Sequence, residues 1–279
     1  MATSVAAHYA RAGGLLERIV AALPSIGKTA ETVSAADLSP CDEFHLGGTK
    51  TAVRLMDRLD IHAGHAVLDV GSGIGGPARL CASTYGCTVT GLDVTPEFVD
   101  TANALSGYCG MADSVACIVA DATDMASIPA ASIDRAYMLH VGMNIADKAA
   151  LARELYRVLK PGSRFGLFDM VTGPAEDAPM RFPLPFASAP EHSQLGSPQQ
   201  YREAFESAGF SLREEVDQLE TVRALFAPPP PGGKPPAPAP PLGMQLLMGD
   251  EIKAKMLNAK GLFESGAMGA REMVFDKAH

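Results

Sequence analysis

The sequence predicts an α/β protein built on a doubly wound parallel sheet, and three observations carry that prediction. Between residues 66 and 170, short apolar runs of strand length alternate with stretches of helical period. That pattern puts parallel strands in one layer and crossover helices on both of its faces. The run Val67-Leu68-Asp69-Val70 passes straight into Gly71-Ser72-Gly73-Ile74-Gly75-Gly76, a glycine-rich turn that enters a helix from about Pro77. Carboxylates then stand at successive strand ends, as Asp69, Asp93 and Asp121.

Each element has its own signal. Leu15, Leu16, Ile19, Val20 and Leu23 lie at helical spacing within residues 5 to 23 and predict an amphipathic helix. A polar stretch follows to Pro40, and a second helix is expected near residues 48 to 59. The sheet region then reads as strand 66 to 70, helix 76 to 85, strand 87 to 93, helix 96 to 107, strands 115 to 120 and 133 to 139, helix 147 to 158 and strand 164 to 170. Thr95 before Pro96 and Glu97 is a helix start, and Lys160-Pro161-Gly162 a helix stop.

Beyond Met170 the prolines Pro174, Pro179, Pro183, Pro185 and Pro190 exclude a helix and predict a loop over the site, residues 171 to 196. Ser197 to Gly209 reads as a capped helix and Ser211 to Leu219 as a strand. Nine of the fifteen residues from Ala227 to Pro241 are proline, a composition that stays extended and builds no core. Leu242 to Met268 reads as helix, with Leu246, Leu247, Ile252, Met256, Leu257 and Phe263 apolar, before a last strand around Glu272 to Phe275. The proline stretch and its helix, residues 227 to 265, are expected as an insertion between the last two strands. A separate C-terminal tail is the alternative arrangement.

Composition narrows the function. With 279 residues and 47% hydrophobic content the chain has ample material for a core, as one large domain or one domain with additions. A formal net charge of −9 without any basic tract argues against nucleic acid as a substrate. No apolar run approaches the roughly 20 residues that span a bilayer, and no charged start followed by an apolar secretory segment is found. Cytoplasmic residence without stable membrane insertion is therefore expected. The cysteines Cys41, Cys81, Cys87, Cys109 and Cys117 are odd in number and follow no metal-ligand spacing, so neither a disulfide framework nor a metal site is indicated.

The glycine-rich turn suits a ligand held against main chain. A residue without Cβ takes up positive φ at low cost and leaves room for close approach, and the helix beyond it offers free N–H groups. Asp93 closes the strand Thr88-Val89-Thr90-Gly91-Leu92-Asp93 about where an acid reaches a ribose hydroxyl pair. Gly71, Gly73 and Gly76 also satisfy the G-x-G-x-x-G dinucleotide pattern. Two acids point away from nicotinamide: Asp69, placed to meet a cationic amine, and Asp121, able to accept from an adenine amino group.

The run Val67 to Gly76, the acid Asp93 and the pair Asp121-Ala122 resemble three cofactor motifs of class I S-adenosylmethionine-dependent methyltransferases. The resemblance extends over nearly the whole chain, because Asp42-Glu43-Phe44-His45-Leu46-Gly47-Gly48, His140-Val141-Gly142-Met143-Asn144-Ile145 and Leu159-Lys160-Pro161-Gly162 recur in small-molecule methyltransferases, the sarcosine/dimethylglycine and ubiquinone/menaquinone types among them. It implies a Rossmann-like, doubly wound seven-stranded sheet whose last strand is antiparallel. It also implies S-adenosyl-L-methionine as cofactor and methyl transfer to an O, N or C atom of a small-molecule metabolite.

Residue by residue, the resemblance implies cofactor contacts at Asp69, Gly71, Ser72, Gly73, Gly75, Asp93, Val94, Asp121, Ala122, His140 and Gly48. Residues 1 to 60 become an N-terminal helical lid, and residues 61 to 279 the methyltransferase domain. A homodimer is compatible with it. Two positions depart from the family pattern. Gly162-Ser163 stands where relatives usually place two glycines, and the chain has no Trp, which weakens the case for a cationic amine held in a tryptophan-lined cage.

Methyl transfer from a sulfonium is an in-line displacement that needs few catalytic side chains. A base is required only where the nucleophile must lose a proton. His140 is the candidate, at the carboxyl end of the fourth strand, where ligands of open α/β sheets bind, and with an ordinary pKa of about 6.5 that suits a proton acceptor. Base and positioning residue both remain open for it. On the substrate side stand Tyr9 of the leading helix, His45, Asn144 and His192, each with a plainer alternative: helix packing, a loop histidine, a helix cap or turn, and a solvated loop side chain. Met138 and Met143 flank the same region and are equally well read as adaptable packing.

Two competing functions use the same fold. A nicotinamide-dependent oxidoreductase needs a proton donor such as a Tyr-x-x-x-Lys pair, of which Tyr156 and Lys160 are the one match in the sequence. A methyltransferase fold without turnover could serve as a binding protein, docking through its proline stretch.

Overall fold

The computed structural model of the chain describes residues 14–175, 178–227, 240–249 and 251–279. Its centre is a seven-stranded sheet in the order β3-β2-β1-β4-β5-β7-β6. The strands are β1 (Ala66–Val70), β2 (Thr88–Asp93), β3 (Val115–Val119), β4 (Ile133–Leu139), β5 (Leu159–Thr172), β6 (Phe210–Asp217) and β7 (Met268–Lys277). β1 to β5 run parallel, and β7 is inserted antiparallel between β5 and β6. The antiparallel last strand is as the resemblance implied.

The helices are α1 (Leu15–Ala22), α2 (Ala35–Asp42), α3 (Gly48–Arg58), α4 (Gly76–Tyr85), α5 (Pro96–Tyr108), α6 (Lys148–Val158), α7 (Pro198–Ser207), α8 (Leu219–Leu225), α9 (Gln245–Met248) and α10 (Ile252–Ser265). Side chains alternate across the sheet, as the strand period of two requires. Val67 of β1 packs with Leu55 and Met56 of α3 and Cys81 of α4 on one face. Leu68 and Val70 pack with Leu151 and Leu155 of α6 and Phe205 of α7 on the other. Each fully buried aliphatic side chain of this kind contributes about 1.5–3 kcal/mol. A third cluster gathers Leu15 and Ile19 of α1, Phe98 and Leu105 of α5, Ile74 of the glycine-rich turn and Leu247 of α9.

Between residues 66 and 158 the predicted elements and the observed ones agree to within a residue or so; elsewhere there are four departures. The stretch up to Pro40 holds α2, begun by a capping box in which Ser34 and Asp37 satisfy each other's main-chain N–H groups. β5 begins at Leu159, before the predicted start at residue 164. The strand expected to reach Leu219 ends at Asp217, whose Oδ1 accepts from the Leu219 N–H at 2.8 Å and starts α8. The helix expected over 242 to 268 is two helices, parted at Gly249, where φ 65° and ψ −161° are open to glycine alone. Residues 1–13, where the sequence predicts the start of the leading helix with Tyr9, and most of the proline stretch lie outside the described residues. No described helix is long and apolar enough to cross a membrane.

β1 lies between β2 and β4, so the crossovers leave it in opposite directions. A crevice opens beyond the carboxyl ends of strands at such a switch point.

Candidate active site

The crevice is a cleft walled by the 71–74 turn, the ends of β2, β3 and β4, Asp42 at the end of α2, and Phe44 and His45 after it, with Leu247 of α9 also lining it. Gly71 and Ser72 both donate their N–H groups to Leu92 O, at 2.8 and 2.9 Å, which fixes the turn onto β2. Gly71 takes φ +74°, and a Cβ there would stand 2.3 Å from Val141 Cγ2. Gly73, at φ +52°, is different: nothing lies within 4 Å of its Cβ position, so it presents bare main chain to the cleft. Gly75 caps α4 and would drive a Cβ to 2.9 Å from Arg79 Nη1; it is not part of the cleft wall.

Arg79, on the first turns of α4, holds this corner together. Its Nη2 donates to Asp42 Oδ2 and to Ile74 O, both at 2.8 Å, and its Nη1 to Ala102 O and Ser106 Oγ, both at 3.2 Å. The guanidinium thus joins α2, the turn and α5. Nothing in the sequence distinguishes it from a surface helix arginine.

The three strand-end carboxylates converge on the cleft. Asp69 is 2% exposed and its Oδ2 has no hydrogen-bond partner among the described residues. Burial pushes its pKa up to about 8, against a smaller opposing pull from the Tyr137 hydroxyl beside it. Asp93 is pre-set by two main-chain donors, Gly73 N–H to Oδ2 at 3.0 Å and Thr95 N–H to Oδ1 at 2.9 Å; burial raises its pKa too. Asp121 accepts at Oδ1 from Thr123, through N–H at 2.8 Å and Oγ1 at 2.7 Å. Val94 and Ala122 line the cleft between them, and so does Ser72, whose hydroxyl turns to Cys117 Sγ at 3.7 Å. Five Asp and no Lys or Arg are found among the described residues of the wall.

Opposite stand two histidines. His140 follows β4 at φ +57°, a conformation that costs a β-carbon-bearing residue about 1–3 kcal/mol and is kept where the surroundings impose it. Its N–H donates to Phe168 O at 2.9 Å, its ring lies 4.7 Å from that of Phe168, and its Nδ1 accepts from the Leu46 N–H at 3.4 Å. Burial, with a smaller contribution from His45, holds its pKa well below the ordinary histidine value. His45 lies edge-on to it, ring centroids 6.1 Å apart, and its Nε2 is 2.7 Å from Glu43 Oε2. Glu43 carried no signal in the sequence beyond its place in the 42–48 run.

Asn144 lines the cleft from a short turn, Gly142–Asn144, while the cap of α6 is Asp147, which accepts from Ala150 N–H at 2.7 Å. That turn is tied to the 171–196 segment. Gln194 N–H donates to Met143 O at 2.9 Å, and Lys148 Nζ donates to Gln194 O at 2.8 Å and to Ile145 O. Gly48 begins α3 behind His45, and His192 pairs with Ser188 Oγ at 2.8 Å; neither belongs to the cleft wall. Among the described residues no cluster of His, Cys, Asp and Glu could hold a metal ion.

Comparison with known proteins gives the cleft a family. A profile described as a methyltransferase domain matches residues 68–167, from β1 into β5. Methyltransferase GfsG of Streptomyces halstedii is 33% identical over 190 residues, which are 67% of this chain and 67% of that one. The O-methyltransferase resE of Aspergillus sclerotiorum is 32% identical over 171 residues, 60% of this chain and 63% of its own length. The chain thus spans about two thirds of the length of these relatives. In fold it is similar to geranyl diphosphate C-methyltransferase from Streptomyces coelicolor A3(2), solved with Mg2+, geranyl diphosphate and S-adenosyl-L-homocysteine, with a TM-score of 0.65 and 16% identity over 82% of this chain and 80% of that one. With the sheet order, the glycine turn and the strand-end acids all in place, the chain belongs to the class I S-adenosylmethionine-dependent methyltransferases.

Proposed function

We propose that the cleft holds S-adenosylmethionine and that the protein transfers its methyl group to a small-molecule metabolite admitted beneath the N-terminal lid and the 171–196 loop. The observation that carries this reading is the charge of the wall: carboxylates alone, one of them, Asp69, buried with an unpartnered oxygen. A cationic ligand answers that need, whereas a nicotinamide dinucleotide would bring its pyrophosphate to the glycine-rich turn, beside Asp69.

The residues present fit the cofactor. Asp69 would accept from its amino group, Asp93 from its ribose hydroxyls and Asp121 from the adenine amino group, with Val94 and Ala122 against the base and bare main chain at Gly73 allowing close approach. When bound, the sulfonium supplies an activated methyl group for in-line displacement. The protein's share is alignment and the exclusion of water. On this reading His140 and His45 would lie toward the acceptor side of the cleft, with Asn144 beside them. The five described cysteines are free, Cys81 and Cys87 included although their sulfurs are 3.6 Å apart, which suits a reducing, cytoplasmic setting.

The test is label transfer. Incubation of the protein with S-adenosylmethionine carrying a 13C methyl group and fractionated metabolite extracts should yield S-adenosylhomocysteine together with a labelled product in at least one fraction. Binding of reduced nicotinamide dinucleotide in place of S-adenosylmethionine would overturn the assignment.

A further inference from the structure

Lys148 is the first residue of α6, where a cation opposes the helix dipole. Asp147 already caps that helix. The side chain of Lys148 turns back instead, buried between the turn after β4 and the 171–196 segment and only 8% exposed. Its Nζ donates to Ile145 O and, at 2.8 Å, to Gln194 O. It also stands 5.3 Å from the centre of the Tyr201 ring. Gly196 packs on its stem, since a Cβ there would stand 3.2 Å from Lys148 Cε.

The two carbonyls belong to different parts of the molecule. Ile145 lines the cleft together with Asn144, Ala146 and Asp147. Gln194 belongs to the 171–196 segment, and its own N–H returns a bond to Met143 O at 2.9 Å. Thr172 N–H donates to Gly196 O at 3.0 Å and closes that segment at its base. Leu184 and Phe186 share one apolar cluster with Met143 and Phe168, and the ring of Phe168 lies 4.7 Å from that of His140. One ammonium therefore bonds a wall of the cleft to the neighbouring segment.

A buried ammonium keeps its charge only while other acceptors replace its water. Burial pulls the Lys148 amine below its ordinary pKa. The charge of Asp169 opposes that pull, while its own oxygens take the Tyr201 hydroxyl at 2.7 Å and the Met170 N–H at 2.8 Å. Parting the 145 turn from residue 194 would strip the ammonium of a carbonyl where burial leaves little water to replace it. The two segments are held to move together. We propose that Lys148 is a positioning residue that couples the 171–196 segment to the cofactor cleft, so that a cofactor which settles the 144–147 wall also settles the acceptor side. Such coupling is reciprocal, so the loaded enzyme binds its acceptor more tightly than the empty one.

This rests on the methyltransferase reading of the cleft, and the test separates the two. Amide hydrogen exchange of the full chain is followed by mass spectrometry with and without saturating S-adenosylhomocysteine, and the same sample is titrated calorimetrically with that compound. In the wild type, binding should slow exchange in peptides covering 142–147 and also in those covering 192–196, by about 5-fold or more, the low end of the usual coupling between two sites. Lys148→Met keeps the stem and loses the donors. In that variant the slowing should persist at 142–147 and vanish at 192–196. Binding that leaves either peptide unslowed in the wild type, or slowing at 192–196 that survives in Lys148→Met, would overturn the proposal. Should the variant fail to fold, the wild-type comparison still decides, because an unresponsive 192–196 peptide is enough to overturn it. Absence of S-adenosylhomocysteine binding would instead overturn the reading of the cleft.

Discussion

Arg79 and Asp42 form an ion pair of 2.8 Å between side chains that are 0% and 2% exposed. The same guanidinium nitrogen holds the carbonyl of Ile74, so the pair that joins α2 to α4 also sets the shape of the glycine-rich turn. Breaking a buried pair from one side leaves an uncompensated charge, at a cost of about 3–5 kcal/mol. Arg79→Met should lower stability by that amount in urea denaturation and weaken S-adenosylhomocysteine binding as the turn loosens. An unchanged unfolding midpoint would show that the pair adds nothing.

Asp69 makes a prediction about pH. Its folded pKa is raised to about 8 by burial, far above the roughly 3.9 of an unfolded aspartate. Between those values the folded chain binds the extra proton, so this group's contribution to stability falls as pH rises from about 4 to about 8. Asp69→Asn should remove that slope from the unfolding free energy measured across the range. A cationic ligand favours the ionised carboxylate, so binding near neutral pH should release a proton, seen as a dependence of the calorimetric heat on buffer ionisation enthalpy. The substitution should abolish the release and weaken cofactor binding by on the order of 10- to 100-fold, as expected for the loss of a charge-assisted hydrogen bond.

Asp93→Ala should weaken the cofactor by about 2–4 kcal/mol, from two lost ribose hydrogen bonds to a charged acceptor. It also strips the N–H groups of Gly73 and Thr95 of their acceptor. Unchanged affinity would remove Asp93 from the site.

His140 is tested by turnover. His140→Ala should cut release of S-adenosylhomocysteine in the presence of an acceptor by roughly 10²–10⁴, the usual worth of a general base. A much smaller loss would make it a positioning residue.

What the sequence made legible is what lies close together along it. β1, the glycine turn and the acids at Asp69, Asp93 and Asp121 belong to strand ends that parallel pairing brings side by side, so a strand pattern was enough to gather them. α2 escaped because Pro40 masked a helix whose start, Ser34 with Asp37, is only a two-residue signal. Arg79 and Glu43 escaped for a different reason. Their roles arise from contacts with Asp42 and His45 whose geometry depends on the fold, and the contact that orients His140 comes from Leu46, 94 positions away. The cleft wall also takes Leu247 from beyond the proline stretch, a placement no local pattern could supply. Gly75, by contrast, matched the motif by position while serving the packing of Arg79.

Calorimetric titration of the wild-type chain with S-adenosylmethionine, and separately with reduced nicotinamide adenine dinucleotide, tests the central claim most directly. One saturable site for S-adenosylmethionine, displaced by S-adenosylhomocysteine and lost in Asp69→Asn, is the predicted result. No heat with either S-adenosyl compound, with saturable binding of the dinucleotide, would contradict it.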